Sequence, residues 1–275
     1  MPFAFIGFVL GIAALKNNNI HLQTNEVAIR FCLVLICMIT ARSAAMGFNR
    51  YLDRHFDQLN PRTAIREIPA GIIKAEKALG FVLVNALVFI IATYFINPIC
   101  FYLSPVALFV ILFYSYTKRF TYLCHLVLGV GLSLAPIGAY LAVTGAFDIL
   151  PLLFSFAIIF WVSGFDIIYA LQDAEFDAAH SLYSMPIHWG GEKALKIARF
   201  FHFFSGVFLW TAYFLGDFHW LYLIGVILFN SMLVYQQSIV KPTDLSKVNL
   251  AFMTANGIAS IVFSIFVIAA IILTF

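Results

Sequence analysis

Charged residues are scarce in this chain. Only 11% of the 275 residues are Asp, Glu, Lys or Arg, whereas 63% are hydrophobic and the mean hydropathy is +0.97. Soluble globular domains carry about 25% charged residues, so the composition excludes that class and predicts a protein embedded in the lipid bilayer. The net charge of +3 is small. We therefore predict no nucleic-acid partner and assign the basic residues to orientation and lipid headgroup contact.

Cysteine is also scarce, and its pattern argues against several kinds of site. Cys32, Cys37, Cys100 and Cys124 lie in apolar stretches without the spacing of metal ligands. They are more typical of core packing than of disulfides. Low-complexity tracts and long linkers are missing too, which predicts a single domain over residues 1–275.

Long apolar stretches dominate what remains. A membrane-spanning helix needs about 20 mostly apolar residues. Candidates lie near 3–15, 28–48, 78–96, 99–116, 122–144, 148–172, 194–215, 219–237 and 249–274. The sequence thus predicts an all-α, polytopic membrane bundle of about nine transmembrane helices. The first stretch lacks the basic region and cleavage site of a signal peptide, and its shortness is typical of a helix that has lost its initial turns.

Basic residues concentrate in the loops that follow the even-numbered stretches. They are Arg50, Arg54, Arg62, Arg66, Lys74, Lys77, Lys118, Arg119, Lys193, Lys196, Arg199, Lys241 and Lys247. The other loops carry little positive charge, apart from Lys16 and Arg30. By the positive-inside rule, the even-numbered loops face the cytoplasm and the N-terminus lies inside. We therefore predict an integral protein of a bacterial-type inner (cytoplasmic) membrane.

Two polar clusters interrupt the ends of the second and sixth stretches. The first, in NRYLDRHFD, contains Asn49, Asp53 and Asp57; the second, in DIIYALQDAEFD, contains Asp166, Tyr169, Asp173 and Asp177. Residues three or four apart share one face of a helix, so each cluster predicts an oxygen-bearing stripe. Both stripes fall on the predicted cytoplasmic side, where a charged substrate can reach them.

Carboxylates at this spacing repel one another, and a divalent cation removes that penalty. Mg²⁺ in particular prefers one or two carboxylates together with phosphate oxygens and water. Arg62 and Arg66 follow the first cluster one turn apart, and guanidinium groups bind phosphate in bidentate fashion. The combination predicts a Mg²⁺-bridged phosphate or diphosphate. The alternative is a solvated loop with weak exposed pairs, such as Arg54 with Asp57.

The two clusters resemble the paired motifs of the UbiA superfamily of intramembrane aromatic prenyltransferases. The first motif of that family is Asn/Asp-x-x-x-Asp-x-x-x-Asp and the second is Asp-x-x-x-Asp. This sequence supplies NRYLDRHFD, the continuation RTAIREIPAG and then DIIYALQDAEFD, in the family's order and at a similar separation. Together with the pattern of about nine apolar stretches, the resemblance extends over most of the chain.

The resemblance implies a helical bundle with a central cavity open sideways to lipid and a cytoplasmic cap. It implies Mg²⁺ as cofactor, a polyprenyl diphosphate as donor and an aromatic acid as acceptor. Metal ligands would be Asn49, Asp53, Asp57, Asp173 and Asp177. The diphosphate would be bound by Arg62, Arg66, Lys118 and Arg119.

Three further residues are assigned to the prenyl cation or to the acceptor. Tyr169 is placed to stabilise the allylic cation or orient the acceptor, unless it is an ordinary tyrosine of the membrane interface. Arg42 and Asp166 are assigned to acceptor binding. A buried arginine normally has an anionic partner, so Arg42 could bind an acceptor carboxylate or instead pair with an acidic residue of a neighbouring helix.

The chain departs from the family pattern just after the second motif. The family commonly shows Gly-x-Lys-Ser or Gly-x-His-Ser there, whereas this chain reads SLYS, with Ser181 at the glycine position and Tyr183 at the basic position. His180 is nearby but out of register. A diphosphate contact is therefore expected to be absent or moved, and Tyr183 receives no catalytic role.

Within the superfamily, NRYLDR, REIPAG and GFDIIYALQD are most similar to the 4-hydroxybenzoate polyprenyltransferase-like branch of quinone biosynthesis. That branch also contains enzymes of an alternative menaquinone route. Haem, chlorophyllide and naphthoate acceptors remain alternatives, as does a transporter that uses the aspartates as a cation or proton relay. Membrane CDP-alcohol phosphotransferases are excluded because their Asp-Gly-x-x-Ala-Arg string does not occur here.

Overall fold

The structure, a computed structural model, describes residues 2–275. Its architecture there is helical, and the prediction of an all-α fold is confirmed. The long helices are α1 (Pro2–Asn17), α2 (Thr24–Leu59), α3 (Ala75–Ile96), α4 (Pro98–Thr117), α5 (Cys124–Thr144), α6 (Ile149–Ala170), α9 (Gly191–Gly216), α10 (Leu221–Ile239) and α11 (Asn256–Thr274). Shorter elements are a 3₁₀-helix (Leu171–Asp173), α7 (Ala174–Ala179), α8 (Met185–Trp189) and a π-helix (Leu250–Ala255) that leads into α11.

Each predicted apolar stretch coincides with one of these long helices. Within residues 2–275, seven helical segments are long and apolar enough to cross a membrane. α1 has only 16 residues, and α9 begins with the charged residues Glu192, Lys193 and Lys196. The protein is therefore an integral membrane protein, while the number of crossings and the sideways opening of a cavity stay predictions.

Local sequence sets several helix boundaries. α4 begins at Pro98, and the Asn97 side chain accepts a hydrogen bond from the backbone N–H of Cys100 at 2.9 Å. α6 begins in the same way, with the Asp148 carboxylate accepting from the N–H of Leu150 at 3.1 Å. α5 ends at Gly145, whose left-handed φ of 66° is favourable for glycine. These caps set where α4 and α6 begin and where α5 ends.

Packing places α6 at the centre of the bundle, between α5 and α9. α1 packs against α5 and α11, and α2 packs against α3 and α4. Aromatic side chains such as Phe154, Tyr222 and Phe263 fill the core and are fully buried. Many large apolar side chains point outward instead, as a surface that faces lipid requires.

α5 and α6 approach each other closely at a glycine. A Cβ atom added to Gly129 would lie 2.5 Å from the carbonyl oxygen of Ile159 and 2.7 Å from Oγ of Ser163. Small residues allow helices in membranes to come this close, and here they fix the position of α6, which carries Asp166 and Tyr169.

We expect the substitution Gly129→Ala to force the two helices apart. The cost of such overpacking is about 1–3 kcal/mol, equivalent to a decrease of about 2–10 °C in Tm. Gly131→Ala is the matched control, because its nearest new neighbour would be the Cα of Ile111 at 3.9 Å. Thermal unfolding in detergent is the measurement, and equal Tm values for the two variants would contradict the tight contact.

The two polar clusters differ in local structure. α2 continues to Leu59, well beyond the predicted end near residue 48, so Asn49, Asp53 and Asp57 lie on one helix, as predicted. The second cluster does not lie on one unbroken α-helix. α6 ends at Ala170, and the 3₁₀-helix and then α7 follow it, so Asp173 and Asp177 lie beyond α6 and the prediction of a single α-helical stripe is corrected.

Candidate functional site

The polar site is formed where the C-terminal ends of α2, α4 and α6 meet the loops that follow them. Asp53, in the middle of the first cluster, is 3% exposed. Its Oδ1 accepts a hydrogen bond from Nη2 of Arg119 at 2.9 Å. Its Oδ2 accepts from Nδ2 of Asn49 at 3.1 Å and lies 3.1 Å from Nζ of Lys118. The two basic residues at the end of α4 thus neutralise the first cluster.

Asp57 lies one turn further along α2 and is also buried. Arg66 donates from Nη1 to its Oδ1 at 2.6 Å. The hydroxyl of Thr63 donates to the Asp57 carbonyl oxygen at 3.2 Å, which ties the following loop to the helix end. The second carboxylate oxygen, Oδ2, is buried and has no hydrogen-bond partner among the residues that the structure describes.

Arg62, in the loop that follows the first cluster, binds the second cluster. It donates from Nε to Oδ1 of Asp173 at 3.0 Å, and from Nη2 to Oδ2 of the same carboxylate. Its Nη1 donates to the Tyr169 hydroxyl oxygen at 2.7 Å. Partial burial lowers the pKa of Arg62, but Asp173 and Tyr169 outweigh burial and raise the pKa above its usual value. The guanidinium therefore remains charged.

Asn60 contacts both residues of the Arg62–Asp173 ion pair. Its side-chain Nδ2 donates to Oδ1 of Asp173 at 3.3 Å, and its Oδ1 accepts from the backbone N–H of Arg62 at 3.0 Å. Asn60 is buried at the C-terminal end of α2. One amide side chain thus fixes both partners of the Arg62–Asp173 ion pair.

Asp177 completes the set of predicted acidic residues. It interacts electrostatically with Lys118, Asp173, Asp53 and Arg62, although it makes no ion pair within 4.0 Å in the described chain. Four of the predicted basic residues and four of the predicted carboxylates therefore share one region: Arg62, Arg66, Lys118 and Arg119 with Asp53, Asp57, Asp173 and Asp177.

The residues present fit a hard divalent cation bound together with an anionic ligand. Within residues 2–275, no three His, Cys, Asp or Glu side chains form a ready-made metal cage. Mg²⁺ rarely needs one, because it prefers one or two carboxylates plus phosphate oxygens and water. The potential ligands offer only oxygen, and the buried Oδ2 of Asp57 lacks any other partner.

Asp166 lies apart from the other carboxylates of its cluster. Its Oδ2 lies 2.6 Å from Nδ1 of His125 on α5, a residue that sequence analysis did not single out. Asp166 is three residues before Tyr169 on the same helix.

Arg42 is exposed and lies two helical turns before Asn49, on the same face of α2. No ion pair or hydrogen bond of its side chain is present among residues 2–275, so the structure does not support pairing with a neighbouring helix. Arg54 does not pair with Asp57 either; it donates to the carbonyl oxygen of Tyr51 and stacks on that ring.

Tyr169 is held from both sides. Arg62 binds its hydroxyl, and its ring stacks on Phe252 with 4.1 Å between centroids. Phe252 lies in the π-helix, where Asn256 donates to its carbonyl oxygen at 2.8 Å. A π-helix at membrane depth needs side-chain partners for its displaced carbonyls. Because both contacts anchor Tyr169 at the site, the interpretation as an ordinary interface tyrosine is disfavoured.

The unusual SLYS segment keeps the backbone of a glycine turn. Ser181 has a φ of 55°, a left-handed conformation that glycine adopts readily and serine does not. The backbone N–H of Tyr183 donates to the carbonyl oxygen of Lys118 at 2.7 Å, while the Tyr183 side chain is exposed. The segment therefore contacts the basic end of α4 through its backbone.

Sequence analysis missed Asn60, His125, Phe252 and the buried part of Arg50. Nη1 of Arg50 is buried without a hydrogen-bond partner among the described residues. Asn60 could have been noticed as a polar residue directly before Pro61 and Arg62. The others depend on contacts between helices distant in sequence and leave no local signal.

Fold and site together define a class of membrane-embedded transferases in which acidic and basic side chains meet at one end of a helical bundle. The chain belongs to the UbiA prenyltransferase family, whose sequence model matches residues 2–270. It is therefore a prenyltransferase, an enzyme rather than a transporter.

Relatives and solved structures agree with this assignment. The chain is 30% identical over 243 residues to a 4-hydroxybenzoate octaprenyltransferase of Tolumonas auensis, which covers 85% of this chain and 82% of the relative. It is 28% identical over 240 residues to the same-named protein of Francisella tularensis, covering 87% and 83%.

Two structural neighbours show the same fold. A UbiA homologue from Aeropyrum pernix K1 superposes with a TM-score of 0.81 at 24% identity, covering 99% of this chain and 97% of that chain. A UbiA homologue from Archaeoglobus fulgidus, bound to DMAPP and Mg²⁺, gives a TM-score of 0.65 at 19% identity, covering 98% and 96%.

Proposed function

We propose that this enzyme transfers a polyprenyl group from polyprenyl diphosphate to an aromatic acid such as 4-hydroxybenzoate, in a Mg²⁺-dependent reaction of ubiquinone or menaquinone biosynthesis. One observation carries the proposal: Arg62, next to the first cluster, binds Asp173 and Tyr169 of the second. This contact supports the proposal that both clusters act on one ligand. The names of the curated relatives support the acceptor.

Metal binding is assigned to Asn49, Asp53 and Asp57 on one side and to Asp173 and Asp177 on the other. The orphaned Oδ2 of Asp57 supports this assignment, as does the Mg²⁺ bound by the Archaeoglobus fulgidus neighbour. When bound, Mg²⁺ neutralises the charge that develops on a departing diphosphate.

Arg62, Arg66, Lys118 and Arg119 are assigned to the diphosphate. Each lies within 3.1 Å of a carboxylate oxygen, so each is at the place where a metal-bound diphosphate would be held. The arginine forks provide paired donors that match phosphate oxygens, and the cationic groups favour departure of the diphosphate.

Tyr169 is assigned to the reacting carbon of the prenyl group. Its ring is fixed against Phe252, and the guanidinium of Arg62 is 5.2 Å from its centroid. Aromatic faces stabilise cations, so a ring at this position can stabilise an allylic cation next to the diphosphate. Arg62 donates to both the Tyr169 hydroxyl and Asp173, and so holds the two side chains close together.

The acceptor carboxylate is assigned to Arg42. The residue lies two turns before Asn49 on the same face of α2 and has no protein partner among residues 2–275. A guanidinium within an apolar segment favours an anionic ligand. Asp166 remains an acceptor-side residue on α6.

The proposed location is a bacterial-type cytoplasmic membrane, with the N-terminus and the site on the cytoplasmic side. The basic residues around the site support this orientation under the positive-inside rule. We also propose that residues 1–275 form one prenyltransferase domain, in agreement with the family match over residues 2–270.

The test uses membranes that contain the protein, Mg²⁺, a labelled polyprenyl diphosphate and 4-hydroxybenzoate. We expect prenylated product, and we expect Arg42→Gln to raise the KM for 4-hydroxybenzoate by about 30-fold or more, because a charged hydrogen-bonded pair is lost. The KM for the prenyl diphosphate should not change. Arg30→Gln, on the same helix but bonded to the carbonyl oxygen of Val143, is the control.

Phenol, which lacks the carboxylate, separates acceptor recognition from a general defect. Arg42→Gln should prenylate phenol as slowly as the parent protein does. An equal loss with phenol and 4-hydroxybenzoate would contradict the role of Arg42. Failure of the parent protein with every aromatic acid tested would contradict the proposed acceptor class.

A further inference from the structure

A histidine–aspartate pair lies next to the proposed site, and neither residue has yet been given a part in the bond-making and bond-breaking steps. His125 on α5 is 2% exposed, whereas the Asp166 side chain on α6 is 23% exposed. Nδ1 of His125 and Oδ2 of Asp166 are 2.6 Å apart. Two ionisable groups in this part of a membrane protein are costly, so the pair calls for a functional explanation.

Hydrogen bonding around His125 fixes the direction of this contact. Its Nε2 accepts a hydrogen bond from the backbone N–H of Met185 at 3.3 Å, so Nε2 carries no proton in this arrangement. Nδ1 is then the protonated nitrogen and donates to Asp166. The ring thus bonds Met185 through Nε2 and one oxygen of Asp166 through Nδ1.

The other oxygen of Asp166 remains available. Among residues 2–275, His125 is the one hydrogen-bond partner of this side chain, and its Oδ1 is not buried. Asp166 is three residues before Tyr169 and seven before Asp173, which places it about 10 Å from Asp173 along the helix axis. Under the proposed function Asp166 belongs to the acceptor side of the site, so its free oxygen would be available to the acceptor.

The proposed reaction releases one proton at this depth. As the C–O bond of the prenyl diphosphate breaks, its electron pair leaves with the diphosphate. A pair from the aromatic ring forms the new C–C bond. The C–H bond at the same ring carbon must then break, so that its electron pair restores aromaticity and its proton leaves. In largely apolar surroundings, that proton needs a defined acceptor.

We propose that Asp166 is the general base that removes this ring proton, and that His125 is the residue that positions it. The inference rests on the proposed function. His125 directs one oxygen of Asp166 and leaves the other free, as an orienting hydrogen bond does in other acid–base pairs. The competing possibility is that the departing diphosphate takes the proton itself.

The test is a kinetic isotope effect with 4-hydroxybenzoate deuterated at the two ring carbons next to the hydroxyl group. If diphosphate departure limits the parent enzyme, deuterium does not change its rate. Asp166→Asn keeps the shape of the side chain but removes the base, so kcat should fall by about 10²- to 10⁴-fold. Loss of the ring proton then becomes limiting, and a primary isotope effect should appear.

Two His125 variants test the positioning role. In His125→Gln the amide can donate to Asp166 and accept from Met185, so the rate should stay near that of the parent and remain insensitive to deuterium. In His125→Leu neither bond forms, and a slower, deuterium-sensitive reaction is expected. Tm is measured for each variant to separate misfolding from catalysis.

The outcomes distinguish the two hypotheses. Product formation by the parent protein tests the proposed function alone. If the parent is active but Asp166→Asn is as fast as the parent, or is slower without any isotope effect, Asp166 is not the base. An unchanged kcat with a raised KM for the acceptor would also overturn the proposal, since it would indicate binding only.

Discussion

Asp173→Asn is expected to lower kcat/KM for prenyl transfer by on the order of 10³-fold or more. The substitution keeps the size of the side chain but removes the negative charge that two groups require. One is the metal assigned to the second cluster, and the other is Arg62, which binds both oxygens of Asp173. Initial rates at varied prenyl diphosphate and Mg²⁺ concentrations measure the effect.

Glu175→Gln is the matched control for this prediction. Glu175 lies two residues after Asp173, is exposed and makes no ion pair within 4.0 Å in the described chain. Its loss changes net charge equally but should leave kcat/KM within about twofold, since isolated surface charges contribute little. Equal losses in both variants would show that general charge, rather than a defined ligand, explains the effect.

The carboxylate at position 53 is expected to behave in the same way, because Lys118, Arg119 and Asn49 all converge on it. Its removal also leaves two cations without their partner near the end of α4. A chelator should abolish transfer by the parent enzyme, and added Mg²⁺ should restore it. Robust transfer in the chelator would remove the metal from the proposed mechanism.

Much of the fold was predictable because lipid imposes strong rules on sequence. Apolar length alone located the long helices α1 to α6 and α9 to α11, but not the short helices α7 and α8. The first cluster was predictable in detail, since Asn49, Asp53 and Asp57 follow a simple helical period and α2 continues through them. Local periodicity and hydrophobicity were sufficient for both conclusions.

The second cluster was less predictable because its backbone is irregular. A period of three or four residues implied one helix, but a 3₁₀-helix at Leu171–Asp173 separates Tyr169 from Asp177. The cause lies outside the segment: Arg62 and Asn60 bind Asp173 across a gap of more than 100 residues in sequence. A sequence pattern contains no information about which distant donor is near.

His125 illustrates the same limit. A histidine in an apolar helix gives no sign of whether it faces lipid, core or ligand. Only the approach of α5 to α6 at Gly129 places it against Asp166. Likewise, the hydrogen bond from Met185 depends on the loop after Ser181, whose left-handed backbone is unusual for serine. Contacts of this kind cannot be predicted from the sequence alone, because they depend on the three-dimensional structure.

The cationic partners of the two clusters come from other parts of the chain. Asp53 is neutralised from α4, and Asp173 from the loop that follows α2. Neither carboxylate relies on a cation of its own helix. Paired substitutions should be non-additive only between residues in direct contact, such as Arg62 and Asp173.

Arg62 is the residue that binds both Asp173 and Tyr169 of the second cluster. Arg62→Ala is expected to lower kcat/KM by about 10²- to 10³-fold, since it removes a donor to the diphosphate and the support of Tyr169 and Asp173. Arg62→Lys should recover only part of the loss. A lysine retains the charge but cannot bind Asp173 and Tyr169 together through a planar fork.

Arg54→Ala is the control, because Arg54 lies on α2 near the cluster but contacts only Tyr51 in the described chain. It should retain activity within about twofold. The double variant Arg62→Ala/Asp173→Asn tests whether the two residues act together. If the two residues act as one unit, the double variant should be little worse than Asp173→Asn alone. Fully multiplicative losses would mean that Arg62 and Asp173 act independently, contrary to the bridge that joins the clusters.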